Sequence, residues 1–508
     1  MNIRSSLFLF ISLLAALLIG LGDRPVYKIQ EVRVAETARE MLVSGDWLVP
    51  RYNGDLRLQK PPLPYWLTTA SYIAGGVSAF TTRLPSVLFG LFSALLIWLK
   101  LRRELGLKAA SNSALILVTS YIGLRYFRSG EADAVLLFFI SLACISGYDI
   151  LRGWNGAWGR ILFGLALGLG FLSKGPAALA IPVATLLSFA ALKGKPTSLP
   201  FSFRHLFSLA GVLLLLGMAF GWYVWIIWKF PDIAQQFLSR QVDETFINGT
   251  HPKPPWWYLA HFFEFFAPWG ILILPAAWIS YQQRHKTQIP PIVRFSWLWL
   301  AVVFVLLTAT VNKQMQYALL FLPPLSIILG HYLANIRGET IRVNRVLFGL
   351  FSLATLAGIY MVMQHSPNAL SALAWITCPI MLLILNYQFK DDSISFPVFV
   401  VATVTATAFL FSETYLSKEP KKLAAQSIML EATKHSPLFQ PRTPLNDGSL
   451  SFYAGFVVPP VEDSEIYGLL EQHPEIWMVG EKIPDLKNVT LNVIARSGEL
   501  KLYKVSRP

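Results

Sequence analysis

Residues 212–228 read VLLLLGMAFGWYVWIIW, a run with no charged side chain and about the length that crosses the hydrocarbon core of a bilayer. Residues 6–22, SLFLFISLLAALLIGLG, form a second such run. The whole chain has the same character. Its 508 residues are 54% hydrophobic and only 14% charged, with a mean hydropathy of +0.50, whereas a soluble globular protein carries roughly a quarter charged residues. This is the composition of a multi-pass membrane protein. The net charge of +14 raises nucleic acid as a partner, but the basic residues sit in short loops between apolar runs, where membrane orientation puts them. No nucleic-acid partner is expected. Cys144 and Cys378 both lie inside apolar runs and read as packing residues rather than a disulfide or a metal site. The first run follows Arg4 as a signal peptide would. However, no small-residue cleavage site follows it and a charged segment opens at Asp23, so it reads as a retained first span.

Further apolar runs occur near 84–100, 109–127, 133–150, 160–174, 176–192, 206–228, 268–282, 294–311, 315–334, 345–363, 370–388 and 394–412, which with the first makes about thirteen spans. Alternate loops carry basic clusters, such as Lys100 with Arg102 and Arg103, or Lys193 with Lys195 and Arg204. Setting these inside places the N-terminus in the cytoplasm and the tail outside. Residues 63–80 are apolar enough to span, yet counting them would put the Lys100–Arg103 cluster outside. They read as a helix along the outer surface. Residues 1–416 then form an all-α polytopic transmembrane domain. Its first outer loop, 23–82, holds short amphipathic helices, and its long outer loop, 231–267, is rich in Trp and Phe. Residues 417–508 are polar. They suggest a small soluble α/β domain with helices near 421–434 and 464–472 and strands at 450–458, 475–479 and 489–504.

Chemistry-bearing residues gather on the outer face. Gln30 to Pro62 reads QEVRVAETAREMLVSGDWLVPRYNGDLRLQKPP. The plain reading of its first half is a solvated amphipathic helix in which Glu36 pairs with Arg33 or Arg39. The functional reading makes Glu31 a site carboxylate. Asp133, in Arg128-Ser-Gly-Glu131-Ala-Asp133, is either an acidic helix start or a second site carboxylate. Lys174, between two apolar runs, either snorkels or meets a lipid phosphate. Lys60, Lys313 and Tyr317 hold comparable outer positions, and Arg240, Asp243 and Glu244 lie in the long outer loop. Several cations with at least two carboxylates suit the departure of a phosphate dianion and attack by an acceptor. No glycine-rich phosphate loop is present in the sequence.

At these residues the sequence resembles the GT-C glycosyltransferases of the bacterial aminoarabinose transferase and protein O-mannosyltransferase superfamily. The blocks that carry the resemblance are Glu31-Val-Arg33-Val-Ala-Glu36, Arg39-Glu40-Met41, Gly45-Asp46-Trp47, Pro50-Arg51-Tyr-Asn53-Gly54 and Lys60-Pro61-Pro62-Leu-Pro-Tyr65-Trp66. Leu172-Ser-Lys174-Gly-Pro, Pro268-Trp269 and Lys313-x-x-x-Tyr317 follow in the family's order. The resemblance covers nearly all of the chain. It implies a GT-C fold with its site at the periplasmic face of the bacterial inner membrane. It also implies a polyprenyl-phosphate-linked sugar as donor and inverting transfer to an envelope acceptor: a lipid A-like lipid, another glycan or a protein hydroxyl. By the same resemblance Lys60 and Tyr317 match donor-phosphate contacts, Lys174 an active-site lysine and Asp133 a second catalytic carboxylate beside Glu31. By their outer positions Lys174, Arg240 and Lys313 join the donor-phosphate candidates, and Arg33, Arg57, Arg128, Glu131 and Glu244 are candidates for substrate contact.

Three departures from the family pattern stand out. The family's first-loop aspartate is Gln30 here, so its role passes to the neighbouring Glu31. The glutamate before Lys-Pro is Gln59, which removes a ligand of the family's metal. No metal site is assigned, and a divalent cofactor is left open. The arginine of the family's long outer loop aligns with Thr245, with Arg240 as a substitute. Two rivals stand beside the transferase reading: a transporter or flippase of lipid-linked sugar, and a non-catalytic assembly factor.

Overall fold

The computed structural model describes residues 3–26, 28–154, 156–192, 206–231, 252–283, 289–335, 431–442, 448–481, 488–497 and 500–508, with isolated residues between 398 and 428. The expected spans at 345–363 and 370–388, most of 394–412 and most of the helix near 421–434 lie outside the described residues. The chain divides into two compact units. One comprises Met1–Ile19, Gln59–Leu63 and Ser86–Tyr415, and the other Gly20–Leu58, Pro64–Pro85 and Leu416–Pro508.

The first unit is built of apolar helices. In chain order they include α1 (Ile3–Leu18), α4 (Ala79–Glu104), α5 (Leu107–Thr119), α6 (Tyr121–Phe127), α7 (Asp133–Leu151), α8 (Ala157–Lys174), α9 (Ala177–Leu192) and α10 (Leu209–Lys229). The helices Pro291–Ala309 and Leu322–Ala334 follow. Five helical stretches among the described residues are long and apolar enough to cross a membrane: Ala79–Glu104, Asp133–Leu151, Leu209–Lys229, Pro291–Ala309 and Met315–Ala334. The run expected as one span at 109–127 is bent by 66° between α5 and α6. There the Tyr121 amide leaves the helical ladder and donates to the Ala267 carbonyl at 2.9 Å, which explains the break. Helix α8 packs on α7 and α10, and small residues set its distance from α10. A Cβ on Gly164 would lie 2.0 Å from the Gly211 carbonyl oxygen, and one on Gly168 would lie 2.9 Å from Met218 Cβ. Backbones approach this closely only over a stripe of glycines.

The second unit opens with α2 (Ile29–Ser44), which ends at Gly45 in the left-handed conformation. A hairpin of β1 (Arg51–Tyr52) and β2 (Asp55–Leu56) follows. Its turn residues Asn53 and Gly54 both have positive φ, at 53° and 81°, as a type I′ turn requires. Helix α3 (Leu63–Gly75) has 13 residues, about 20 Å at 1.5 Å per residue, too short to cross a ~30 Å core. The tail forms a five-stranded sheet in the order β4-β3-β5-β7-β6, with β3 Leu438–Pro441, β4 Pro460–Val461, β5 Glu475–Gly480, β6 Thr490–Ser497 and β7 Leu500–Ser506. β3 pairs parallel with β4 and β5, and β7 pairs antiparallel with β5 and β6. Alternation along β5 sends Trp477 and Val479 into one core and Ile476 and Met478 into another.

The strand expected at 475–479 and the helix at 464–472 match β5 and Asp463–Gln472, while 489–504 resolves into β6 and β7. Residues 450–458, read as a strand, instead begin as the helix Ser449–Ala454, which Gly455 ends at φ 80° before the short β4.

This helix completes a core shared with residues 23–82, the loop after α1: Val26, Val32, Ala35, Ala38, Tyr52, Tyr72 and Phe452 cluster together. Polar links reinforce it. Val26 N–H donates to the Tyr453 hydroxyl oxygen at 2.6 Å, Gly448 N–H to the Tyr52 hydroxyl oxygen at 2.6 Å, and Arg39 Nη1 to the Gly455 carbonyl at 2.7 Å. Accordingly α2 is not the solvated helix its charges suggest. Glu31, Glu36, Arg39 and Glu40 are all buried.

Candidate active site

Asp133 opens α7, where a carboxylate faces the positive end of the helix dipole. Lys174 closes α8, and Gly175 at φ 91° turns the chain away. The packing of α7 on α8 brings the two side chains together: Lys174 Nζ donates to both Asp133 carboxylate oxygens at 2.6 Å. Asp133 is 3% exposed. The same ammonium lies 5.1 Å from the centroid of the Tyr317 ring, within cation–π range. Asp133, Lys174 and Tyr317 thus come from three sequence-distant segments to one place. The carboxylate and the aromatic face hold this part-buried ammonium between them. It can turn to an arriving phosphate without leaving Asp133 unpaired beforehand.

The neighbouring candidates in this unit are accounted for differently. Arg128 Nη1 donates to the Leu17 carbonyl at 2.7 Å and ties α1 to the turn before α7. Glu131 accepts from Ser129 Oγ at 2.9 Å, and its carbonyl accepts from Ser86 Oγ at 3.1 Å. Lys313 is 3% exposed, and its Nζ donates to the Thr310 carbonyl. Lys60 is partly exposed, just after the exposed Gln59. Arg240 and Glu244 lie outside the described residues.

In the second unit, Glu31 is fully buried and both of its oxygens are held by Arg83. Nε donates to Oε1 at 2.7 Å and Nη2 to Oε2 at 3.1 Å. Arg83 also donates to the carbonyls of Leu21 and Arg24 at 2.7 Å and of Pro25 at 3.1 Å. Arg24 lies 3.8 Å from Glu31. Sequence reading missed Arg83. The signal available was an arginine at the outer end of an expected span, against the orientation bias. Glu36 accepts Arg39 Nε and Nη2 at 2.7 and 2.6 Å. Burial pushes the Glu36 carboxyl up to about 8 even against the pull of Arg39, and burial raises Glu40 as well. Arg33 is half-buried, and Arg57 donates to the Tyr65 hydroxyl at 3.1 Å.

Among the described residues, no three His, Cys, Asp or Glu side chains gather closely enough to hold a metal ion. Position 59, where the resemblance places a ligand, carries a neutral amide. The residues present therefore do not form that donor set.

Residues 59–225 match the family described as dolichyl-phosphate-mannose-protein mannosyltransferase. Two relatives carry the name undecaprenyl phosphate-alpha-4-amino-4-deoxy-L-arabinose arabinosyl transferase, the second of them as transferase 2. The one from Edwardsiella ictaluri is 30% identical over 68% of this chain and 63% of its own, and the one from Sodalis glossinidius is 29% identical over 67% and 62%. The matched region thus spans less than two thirds of these relatives' length. The crystal structure of ArnT from Cupriavidus metallidurans bound to undecaprenyl phosphate superposes with a TM-score of 0.77 at 18% identity, over 99% of this chain and 98% of that one. This likeness establishes the fold. Over part of its sequence the chain is thus similar to the mannosyltransferase family and to the aminoarabinose transferases, and over nearly all of its length it shares the fold of the ArnT structure.

Proposed function

We propose that the chain is an inverting glycosyltransferase that moves a sugar from a polyprenyl-phosphate donor to an envelope acceptor at the periplasmic face of the bacterial inner membrane. The observation that carries this reading is the largely buried Asp133–Lys174 pair beside Tyr317, at adjoining ends of α7 and α8. Two of its three members lie inside the segment that matches the family. In the reaction, the bond from sugar C1 to the phosphate oxygen breaks and an acceptor oxygen bonds C1 from the opposite face. The electron pair leaves with the polyprenyl phosphate. Lys174, Tyr317, Lys60, Lys313 and Arg240 are assigned to that leaving dianion. A hydroxyl acceptor gives its proton to a carboxylate, for which Asp133 is the candidate, whereas a phosphate acceptor needs no base. Glu31, committed to Arg83, is assigned to holding the first outer loop and its Arg33 in place.

The reading carries a finer architecture with it. That architecture has about thirteen spans, a cytoplasmic N-terminus, a catalytic domain over 1–416 and a periplasmic α/β domain over 417–508. The names of the relatives make 4-amino-4-deoxy-L-arabinose the first sugar to test and undecaprenyl phosphate the first carrier, with a lipid A-like acceptor ahead of a protein hydroxyl. A transporter would need polar groups at mid-membrane depth, yet α7 carries no charged residue between Asp133 and Asp149. Mass spectrometry of envelope lipids and glycans with and without the gene tests the reading. A lost sugar increment with accumulation of the undecaprenyl-phosphate sugar is expected, and unchanged envelopes from expressing cells would refute it.

A further inference from the structure

Residues 252–266 pass beside the segment that carries Tyr317, and two backbone links fasten them there. Pro252 bridges to Asn312, and Lys253 N–H donates to the Val311 carbonyl at 3.4 Å. A third link comes from a side chain. Tyr258 is 2% exposed, and its hydroxyl donates to the Gln314 carbonyl at 3.2 Å. That carbonyl also accepts the backbone N–H of Tyr317, again at 3.2 Å. One oxygen therefore joins the Tyr258 hydroxyl to the peptide of the residue whose ring lies over Lys174. The Tyr258 ring packs against Phe321 at 5.9 Å, at the far end of the same 3₁₀ turn, Met315–Phe321. Burial, then the proximity of Tyr317, raises the Tyr258 hydroxyl above its ordinary pKa, so it stays protonated and donates. Its neighbours face the other way: Trp256 is 64% exposed and Leu259 61%.

We infer that Tyr258 is a positioning residue for the donor phosphate: its hydroxyl fixes the Gln314 carbonyl, and through it the placement of the Tyr317 ring over Lys174. The inference rests on the proposed function and deepens it. A tyrosine buried only for packing would keep its stability contribution and lose nothing specific when the hydroxyl is removed.

The test uses the purified full-length chain in detergent. Undecaprenyl phosphate binding is read by intrinsic fluorescence and unfolding by a thermal scan. Tyr258→Phe keeps the ring and deletes one neutral hydrogen bond, so binding weakens about 2- to 10-fold while the ligand-free unfolding midpoint stays near that of the wild type. The weakening disappears in a Tyr317→Ala background, because the two residues act in series. Phe321→Leu, which loosens the ring packing and spares the hydroxyl, lowers the midpoint and leaves affinity within roughly twofold of the wild type. Unchanged affinity in Tyr258→Phe, or equal weakening with and without Tyr317, overturns the inference and leaves the transferase reading standing. A wild-type chain that does not bind undecaprenyl phosphate overturns both.

Discussion

Replacing Arg83 with methionine tests a heavily bonded charge in the second unit. The guanidinium donates two hydrogen bonds to Glu31 and one to each of the carbonyls of Leu21, Arg24 and Pro25. Arg83 is 1% exposed and Glu31 is 0% exposed. The thioether of methionine fills much of the volume but donates nothing. Glu31 is left buried without its bidentate partner, with Arg24 3.8 Å away. Removing one member of a buried pair costs about 3–5 kcal/mol, chiefly because the survivor is stranded, and Arg24 moves the expectation toward the lower end. Thermal unfolding in detergent, followed by fluorescence and by protease resistance of the first outer loop, is the assay. Arg83→Met alone should lower the midpoint sharply, and adding Glu31→Leu should restore part of the loss because the buried carboxylate is then gone, although Arg24 loses a partner with it. The reasoning fails if the single variant unfolds with the wild type, or if the double variant is no better than the single.

The remaining expectations concern the site, the loop and the packing. Asp133→Asn and Lys60→Ala should each abolish transfer in purified protein whose folding is unchanged, and near-normal turnover by either would remove that residue from the site. Glu31→Gln keeps an acceptor for Arg83, so it should retain measurable transfer, whereas complete loss would return Glu31 to the role of base. Glu36, raised to about 8 in the folded chain, binds a proton that the unfolded chain releases above its ordinary 4.5. Stability from this group is therefore present at low pH and falls as pH rises through about 8, and Glu36→Gln should flatten the dependence of the unfolding midpoint between pH 5 and pH 8. Gly164→Ala puts a methyl against the Gly211 carbonyl and should cost the folded protein on size-exclusion chromatography. Gly217→Ala meets nothing within 4 Å and should be silent.

What the sequence makes legible is what local pattern determines. The apolar runs give α7, α8 and α10 to within three residues at each end, and period-two alternation gives β5. The ends of α7 and α8 bring Asp133 and Lys174 into view because charges at the ends of spans are costly unless paired or used. What stays hidden depends on partners distant in sequence. The bend at Ser120 arises because the Tyr121 amide goes to Ala267, which nothing in residues 109–127 announces. Residues 450–458 alternate like a strand, yet Phe452 is drawn into the core around Val32 and Ala35, and the segment starts as a helix. Arg83 is 52 residues from Glu31, too far for helical spacing to link them. The loop charges therefore read as solvated when they are buried.

The core shared by the first outer loop and the tail has a consequence for how the chain is made. Val26 and Tyr453 are 427 residues apart. At about 5–20 residues per second, roughly 20 to 85 seconds separate their emergence from the ribosome. Throughout that interval Tyr52, Arg39 and the apolar face of α2 exist without the partners that later cover them. The early loop is thus an unfinished half-core that waits for the last part of the chain, and each truncation that removes residues 448–455 leaves it unfinished for good. The packing of the loop after α1 can be complete only once Gly448, Tyr453 and Gly455 have emerged to seal it.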